Sequence, residues 1–205
     1  MMTERNQTHQ LSLQDNDMPV HKFIPLEKLD IVQLNQVRIL YYQTPSRFYV
    51  YLPNKIDTHA QFQVELQLSM QNYKLTTSST QYVHHQPVAA QDNHAIWHRA
   101  TILDLNANGI DVYVYFVDVG QQEHIPITNI RPLSQEFIRQ PAFAIPCRLY
   151  KICPLNGDER SAWKLNDPVH DEFNRLMANN ANCKVCDRRE QICYDVEIDI
   201  PSKFL

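Results

Sequence analysis

Short runs of alternating apolar and polar residues, rich in Val, Ile, Tyr and Phe, recur from Val37 onward and are typical of half-buried β-strands. The first two runs, 37–42 and 47–52, flank the polar segment 43–46 and predict a hairpin. Four further runs follow at close spacing, which predicts a small antiparallel barrel. These four runs are 88–91, 96–105, 110–119 and 123–130.

Two segments have helical rather than strand character. Segment 57–75 fits either period, but its length and its content of Gln, Leu, Met and Glu favour a helix, with Asp57 or Thr58 as the N-cap. Segment 167–180 predicts a second helix, because Asp167 suits the N-cap and Pro168 suits the first helical position. The polar segment 76–87 between the first helix and the barrel predicts a loop.

Turns and terminal strands complete the predicted order. Asn106 to Gly109 closes one long hairpin, and Gly120 with Gln121 closes the next. Segment 142–154 supplies one more strand, and segment 183–199 predicts two strands around a polar turn at Asp187 to Glu190. The elements outside the small barrel are too few for separate stable domains, so we expect them to pack together.

Composition narrows the functional classes. The chain has 205 residues, 43% of them hydrophobic and 20% charged, which is typical of a globular protein. A net charge of -4 argues against a nucleic-acid partner and favours a cationic one. Residues 1–22 predict a flexible leader without a secretory pattern, so we expect a cytoplasmic location and reduced cysteines.

The stretch IWHRATILDLNANGIDVYVYFVDVGQQEHIPITNIRPL, residues 96–133, resembles the Tudor signature. In that signature a Trp-Tyr-Arg-Ala strand precedes a Val-x-Phe-Ile-Asp-Tyr-Gly-Asn strand and turn, and a later strand ends in Arg-Pro-Leu. The order of elements on both sides resembles the extended Tudor domain, over about residues 25–205. The matching residues are Trp97, Arg99, Ala100, Phe116, Asp118, Gly120, Arg131, Pro132 and Leu133.

This resemblance implies an α+β, mostly β fold, in which a Tudor barrel is inserted into an OB-like, staphylococcal-nuclease-like domain joined by a helix. We expect the first part of the nuclease-like domain and the linker helix at 23–76, the Tudor barrel at 84–140 and the second nuclease-like part at 141–205. Together these segments form one extended Tudor domain.

The resemblance also implies a non-catalytic function without a cofactor. Extended Tudor domains of germline piRNA-pathway proteins bind the arginine-bearing tail of a Piwi-class Argonaute, in perinuclear germ granules (nuage). An aromatic cage with an Asn holds the methylated guanidinium. Here the cage positions hold Asp92, His98, Phe116, Val119 and Gln121, with one aromatic ring of the expected four, a departure similar to Krimper-like modules of the family.

Loss of three rings predicts weak discrimination of methylated from unmethylated arginine, since each cation–π contact contributes about 0.5–2 kcal/mol. Asp92 places a carboxylate at a ring position, so we expect the pocket to tolerate or prefer unmethylated arginine. Trp97, Asp118 and Gly120 are expected to be structural. Two alternatives remain: a scaffolding or dimerisation module with an inactive cage, with self-association through regions outside this chain, or single-stranded RNA binding by stacking on Tyr41, Tyr42, Tyr49 and Tyr51.

Other chemistry has weaker support. Cys183 and Cys186 form a C-x-x-C pair without a second pair, and core-facing strand positions explain them better than zinc. Asp195, Glu197 and Asp199 alternate on a terminal strand, which indicates a solvent-facing edge rather than a nuclease metal site. We therefore predict neither a metal nor an enzymatic activity.

Overall fold

The computed structural model describes residues 23–73, 81–106, 109–154, 157, 161–164, 166–177, 180–189 and 193–199. Within these residues the strands form two separate sheets, and three helices accompany them. The elements are β1 (Asn35–Thr44), β2 (Arg47–Tyr51), α1 (Ile56–Gln71), β3 (Pro87–Gln91), β4 (Trp97–Leu105), β5 (Asp111–Phe116), β6 (Gln122–Pro126), β7 (Ile130–Pro132), α2 (Gln135–Arg139), β8 (Ile145–Leu149), α3 (Val169–Met177), β9 (Asn180–Arg189) and β10 (Cys193–Asp199).

The first sheet is a closed barrel built from both ends of the described chain. Its strand order is β1-β2-β8-β10-β9, with β8 and β10 parallel and the other pairs antiparallel. Alternate strand residues fill its interior, and Phe173 of α3 closes it against Phe48. The buried core includes Val37, Ile39, Val50, Ile145, Cys147, Ala181, Cys183 and Val196.

The second sheet is five-stranded, with strand order β6-β5-β4-β3-β7 and antiparallel pairing throughout, and we call it the inserted barrel after the Tudor barrel predicted there. Its strands lie between β2 and β8 in sequence, so the middle of the chain is inserted into the first barrel. This arrangement confirms the predicted fold class. The interior contains Val88, Ala90, Ala100, Ile102, Val112, Val114, Phe116, Ile125 and Ile130.

The helix α1 joins the two barrels, which confirms helix over strand for this segment. The side chains of Gln63 and Gln67 donate to the carbonyl of Trp97 at 2.7 and 2.6 Å, and Gln67 accepts from the Trp97 amide. The predicted N-cap at Asp57 or Thr58 is wrong. A 3₁₀ turn at Pro53–Lys55 leads directly into the helix, so the helix begins one residue before Asp57 without a side-chain cap.

Several boundaries differ from the predicted ones. The short helix α2 was not predicted, because five residues are too few to show a helical period. The turn predicted at Asp187 to Glu190 is wrong in position, since β9 stays paired with β10 through Arg189. The helix α3 confirms the second predicted helix. Asp167 was predicted to cap this helix, but its carboxylate accepts from the amide of Lys164, which precedes the helix.

Some predictions fall partly or wholly outside the described residues. The leader lies wholly outside them. The predicted loop at 76–87 lies outside them at residues 76–80, and the predicted turn at Asn106 to Gly109 lies outside them at residues 107 and 108. Gly109 is described and has a positive φ of 67°. In the described part of the chain, no helix is both long and apolar enough to cross a membrane.

Arg99 is the main polar connection between the inserted barrel and its surroundings. Its side chain is fully buried and donates twice to the Asp118 carboxylate, at 2.9 and 2.6 Å. It also donates to three main-chain carbonyls, and its guanidinium lies 4.5 Å from the ring centroid of Phe62 on α1. The three carbonyls belong to Phe137, Gln140 and Pro141.

Candidate functional site

Strand register fixes which side chains face the interior of the inserted barrel. The hydroxyl of Tyr113 donates to Gln122 at 2.9 Å, and its ring stacks on His124 at 4.7 Å between centroids. These contacts lie on the outer face of β5 and β6. Because neighbouring strand residues point to opposite faces, Val114 and Phe116 face inward. Phe116 is only 2% exposed.

Asp92, His98 and Phe116 form one contiguous group at the end of this interior. Nε2 of His98 lies 3.0 Å from Oδ2 of Asp92, and it donates, since an ionised carboxylate only accepts. The His98 ring lies 5.0 Å from the Phe116 ring, centroid to centroid, at an interplanar angle of 55°. The structure therefore places the predicted carboxylate, imidazole and single ring side by side.

The turn after β3 holds the Asp92 carboxylate in place. Oδ1 of Asp92 accepts from the amides of His94 and Ile96, each at 2.9 Å, and Ala95 adopts a positive φ of 61° within the turn. Burial alone would raise the pKa of Asp92, but the hydrogen bonds from Ile96, His98 and His94 outweigh burial and lower this pKa. The site therefore contains a fixed negative charge near neutral pH.

Val119 and Gln121 lie on the turn between β5 and β6. Val119 packs against the barrel interior beside Phe116. The carbonyl of Gln121 accepts from the Phe116 amide at 2.9 Å, and the Gln121 residue is half-buried. These two residues border the group formed by Asp92, His98 and Phe116 through the main chain of the turn.

The three residues expected to be structural contact other parts of the molecule. The Arg131 guanidinium lies over the Trp97 ring, 4.8 Å from the ring centroid. Asp118 forms an ion pair with Arg99. Gly120 has a φ of 90°, and a Cβ atom there would lie 2.5 Å from the Tyr49 ring. Gly120 thus permits close contact between the inserted barrel and β2 of the other barrel.

One carboxylate on the inner face was not among the predicted site residues. Glu123 lies directly opposite Val114 in the β5–β6 register, and Val114 faces inward. The sequence indicates the orientation of Glu123, because Glu123 and Ile125 are two residues apart on β6 and alternate residues share a face. Ile125 is buried and His124 is exposed. The family pattern of cage positions ends at the turn residue Gln121, so it does not point to Glu123.

A groove lies between the two barrels, next to the turn that carries Val119 and Gln121. Its cavity of about 310 Å³ is bounded by Arg47 and Tyr49 of the first barrel and by Leu103, Tyr115 and Gln122 of the inserted one. Burial raises the pKa of Tyr115, so this hydroxyl stays neutral and can donate. The groove is mainly apolar, with hydrogen-bonding groups at its wall.

The tyrosines proposed to stack RNA bases are in part packed inside the protein. Tyr49 is buried next to Tyr115, at 5.8 Å between ring centroids. Tyr42 stacks on Phe173 at 4.4 Å, and its hydroxyl is hydrogen-bonded to His170. Two of the four proposed rings are therefore occupied by packing within the protein.

Two secondary interpretations require correction. The Asp195 side chain is buried and lies 3.2 Å from Arg148, so β10 is not solvent-facing at that position. Cys183 is buried in the first barrel, whereas Cys186 lies at an irregularity in the β9–β10 register and is only half-buried. Burial raises the pKa of Cys183 to about 12, which keeps this thiol protonated.

The two-barrel arrangement and the site at the end of the inserted barrel define an extended Tudor domain. The Tudor domain family model matches residues 31–151, and the chain belongs to this family. The human Tudor and KH domain-containing protein is 38% identical over 80 residues, which cover 39% of this chain and 13% of that protein.

Solved structures resemble the whole fold. The human TDRD1 extended Tudor domain, in complex with a symmetrically dimethylated peptide, has a TM-score of 0.78 and 21% identity, and the match covers 93% of this chain and 94% of that one. Domain TD3 of mouse TDRD1, in complex with a MILI peptide containing dimethylarginine 45, has a TM-score of 0.74 and 16% identity, over 88% and 89% of the two chains.

Proposed function

We propose that this extended Tudor domain is a non-catalytic adaptor that binds an arginine-bearing peptide without requiring arginine methylation. The contact between Asp92, His98 and Phe116 carries this proposal, because it combines one aromatic ring with a fixed negative charge. The peptide complexes of the human and mouse TDRD1 domains support peptide binding by the same fold.

The side chains at the site explain the expected indifference to methylation. Methyl groups on a guanidinium gain affinity from several ring faces that surround them, whereas a carboxylate gains affinity from unmodified N–H donors. The exposed area of Phe116 is small, because its ring belongs to the core of the inserted barrel and also lies against His98. Oδ2 of Asp92 has capacity for a hydrogen bond beyond that from His98, since a carboxylate oxygen accepts about two.

Calorimetry with two matched peptides tests the proposal. The peptides share one sequence and carry either unmodified or symmetrically dimethylated arginine, and we expect their affinities to agree within about threefold. Asp92→Ala should weaken the binding of both peptides. The matched control is Asp104→Ala, which removes a carboxylate from an exposed position of the inserted barrel. If the dimethylated peptide binds about tenfold more tightly, which corresponds to roughly 1.4 kcal/mol, the proposal is wrong.

We further propose that the partner is the tail of a Piwi-class Argonaute and that the complex resides in cytoplasmic, perinuclear germ granules (nuage). The net charge of -4 suits a cationic tail, and the groove beside the site suits an extended segment. Co-precipitation of the full chain with tagged Argonautes, with and without their arginine-rich tails, tests this assignment. Equal recovery of the tail-less forms would contradict it.

The low exposure of Phe116 also favours a second candidate, a scaffolding module with an inactive cage. The same calorimetry separates the two functions. A scaffold would bind neither arginine peptide, and it would show self-association or a partner footprint elsewhere on the surface.

A further inference from the structure

Glu123 occupies a position that makes it part of the candidate site. Its directly paired residue is Val114, which faces the barrel interior two residues before Phe116 on β5. The outer-face contacts of Tyr113 with Gln122 and His124 fix this register from the other side. The Glu123 side chain therefore points to the same face as the Phe116 ring, about 7 Å farther along the strand.

The Glu123 carboxylate differs from the other two carboxylates near the site in its hydrogen bonding. Oε2 of Glu123 is buried and accepts no hydrogen bond from the described part of the protein. Asp92, in contrast, accepts from His98 and from two backbone amides. Asp118 accepts from Arg99 and from the Phe143 amide.

A buried carboxylate oxygen without a donor is unfavourable in the unbound protein, and such oxygens are rare in folded proteins. A donor that arrives with a ligand removes this cost at the moment of binding. A cation with N–H groups suits this position best, because it supplies the missing donor and opposes the charge of a carboxylate. A guanidinium meets this requirement with a planar set of N–H donors.

We propose that Glu123 is the side chain that pairs with the guanidinium of the bound peptide, while Asp92 holds His98 in place against Phe116. This inference rests on the proposed arginine-binding function and assigns its charge recognition to a different residue. It makes Glu123 a specificity-determining residue for the positive charge of the guest, independent of the methylation state.

Peptides that carry arginine or citrulline at the same position test this pairing. Citrulline has nearly the shape of arginine but is neutral, so it lacks the charge that Glu123 would recognise. Glu123→Gln should weaken binding of the arginine peptide about 10- to 100-fold and change binding of the citrulline peptide by less than about threefold. Glu197→Gln, which removes the same charge from an exposed site on β10, should leave both affinities unchanged.

Thermal unfolding of the Glu123→Gln variant provides a second readout. The melting temperature should stay the same or rise, since the substitution removes a charge from a carboxylate whose Oε2 is buried without a donor. A lower melting temperature would show that the carboxylate has a structural partner and would overturn the inference.

The outcomes separate this inference from the function on which it rests. If the unaltered protein does not prefer arginine over citrulline, the proposed function fails. If it does prefer arginine but Glu123→Gln binds as the unaltered protein does, the assignment to Glu123 fails and the proposed function stands.

Discussion

Removal of the Asp118 carboxylate should destabilise the fold strongly. Asp118→Ala leaves the Arg99 guanidinium fully buried without its counter-ion, although three carbonyls still accept from it. The substitution also removes the acceptor of the Phe143 amide. The loss is therefore larger than that of an ordinary ion pair.

The structure sets the magnitude of this effect. Breaking a buried ion pair on one side costs about 3–5 kcal/mol, a large part of the 5–15 kcal/mol that a domain has in total. For a chain of this length, each kcal/mol lowers the melting temperature by about 2–4 °C, so we expect a decrease of about 6–20 °C. Glu172→Ala, which breaks the exposed pair with Arg175, should cost under about 0.5 kcal/mol.

Urea unfolding followed by circular dichroism measures these losses. The variant Arg99→Met and the double variant complete a thermodynamic cycle with Asp118→Ala. We expect the double variant to lose at least about 2 kcal/mol less than the sum of the single losses, since each single variant leaves one buried charge behind. Additive losses, or a loss below about 1 kcal/mol for Asp118→Ala, would refute the reasoning.

Two other perturbations have clear signs. Gly120→Ala should cost more than about 1 kcal/mol of stability, because the new Cβ would meet the Tyr49 ring at a residue with positive φ. Gly109→Ala has open space around the new Cβ and should cost less, and the urea midpoints of the two variants test this difference. Burial lowers the pKa of His59 below its ordinary 6.5, although Asp118 opposes this shift. As the pH falls, His59 therefore takes up its proton in the unfolded state first, so the stability of the fold should decrease below about pH 6.5. His59→Phe preserves the stacking on Phe143 and should make the urea midpoint less dependent on pH in this range.

The fold followed from the sequence where the local pattern and the packing agree. The β1–β2 hairpin and the strands β3, β4 and β5 alternate strongly, and their predicted positions match the structure to within a few residues. The single run predicted at 123–130 is wrong, because it divides into β6, a 3₁₀ turn at Ile127–Asn129 and the first residue of β7. Segment 57–75 fitted two periods, and its composition gave the correct answer: Leu66 and Met70 are buried, whereas Leu68 is exposed. The helix start failed because tertiary contacts, rather than a cap, position it.

The site followed from the sequence only in part. Family spacing brought Asp92, His98 and Phe116 together, but it gave no information about hydrogen bonds. The expectation that the Asp92 carboxylate faces a guest did not account for the turn, in which His94 and Ile96 donate to the same group. Such local bonds depend on the path of the main chain, which residue types alone do not determine.

The turn between β5 and β6 connects the site to both barrels. Phe116 faces the interior, Asp118 binds Arg99 and the Phe143 amide, and Gly120 lies against Tyr49 of the first barrel. Three alternate positions of one short segment thus belong to the site, to the buried ion pair with Arg99 and to the contact with the other barrel. Substitutions at Asp118 or Gly120 should therefore weaken peptide binding as well as stability, whereas Glu123→Gln should weaken binding without lowering stability.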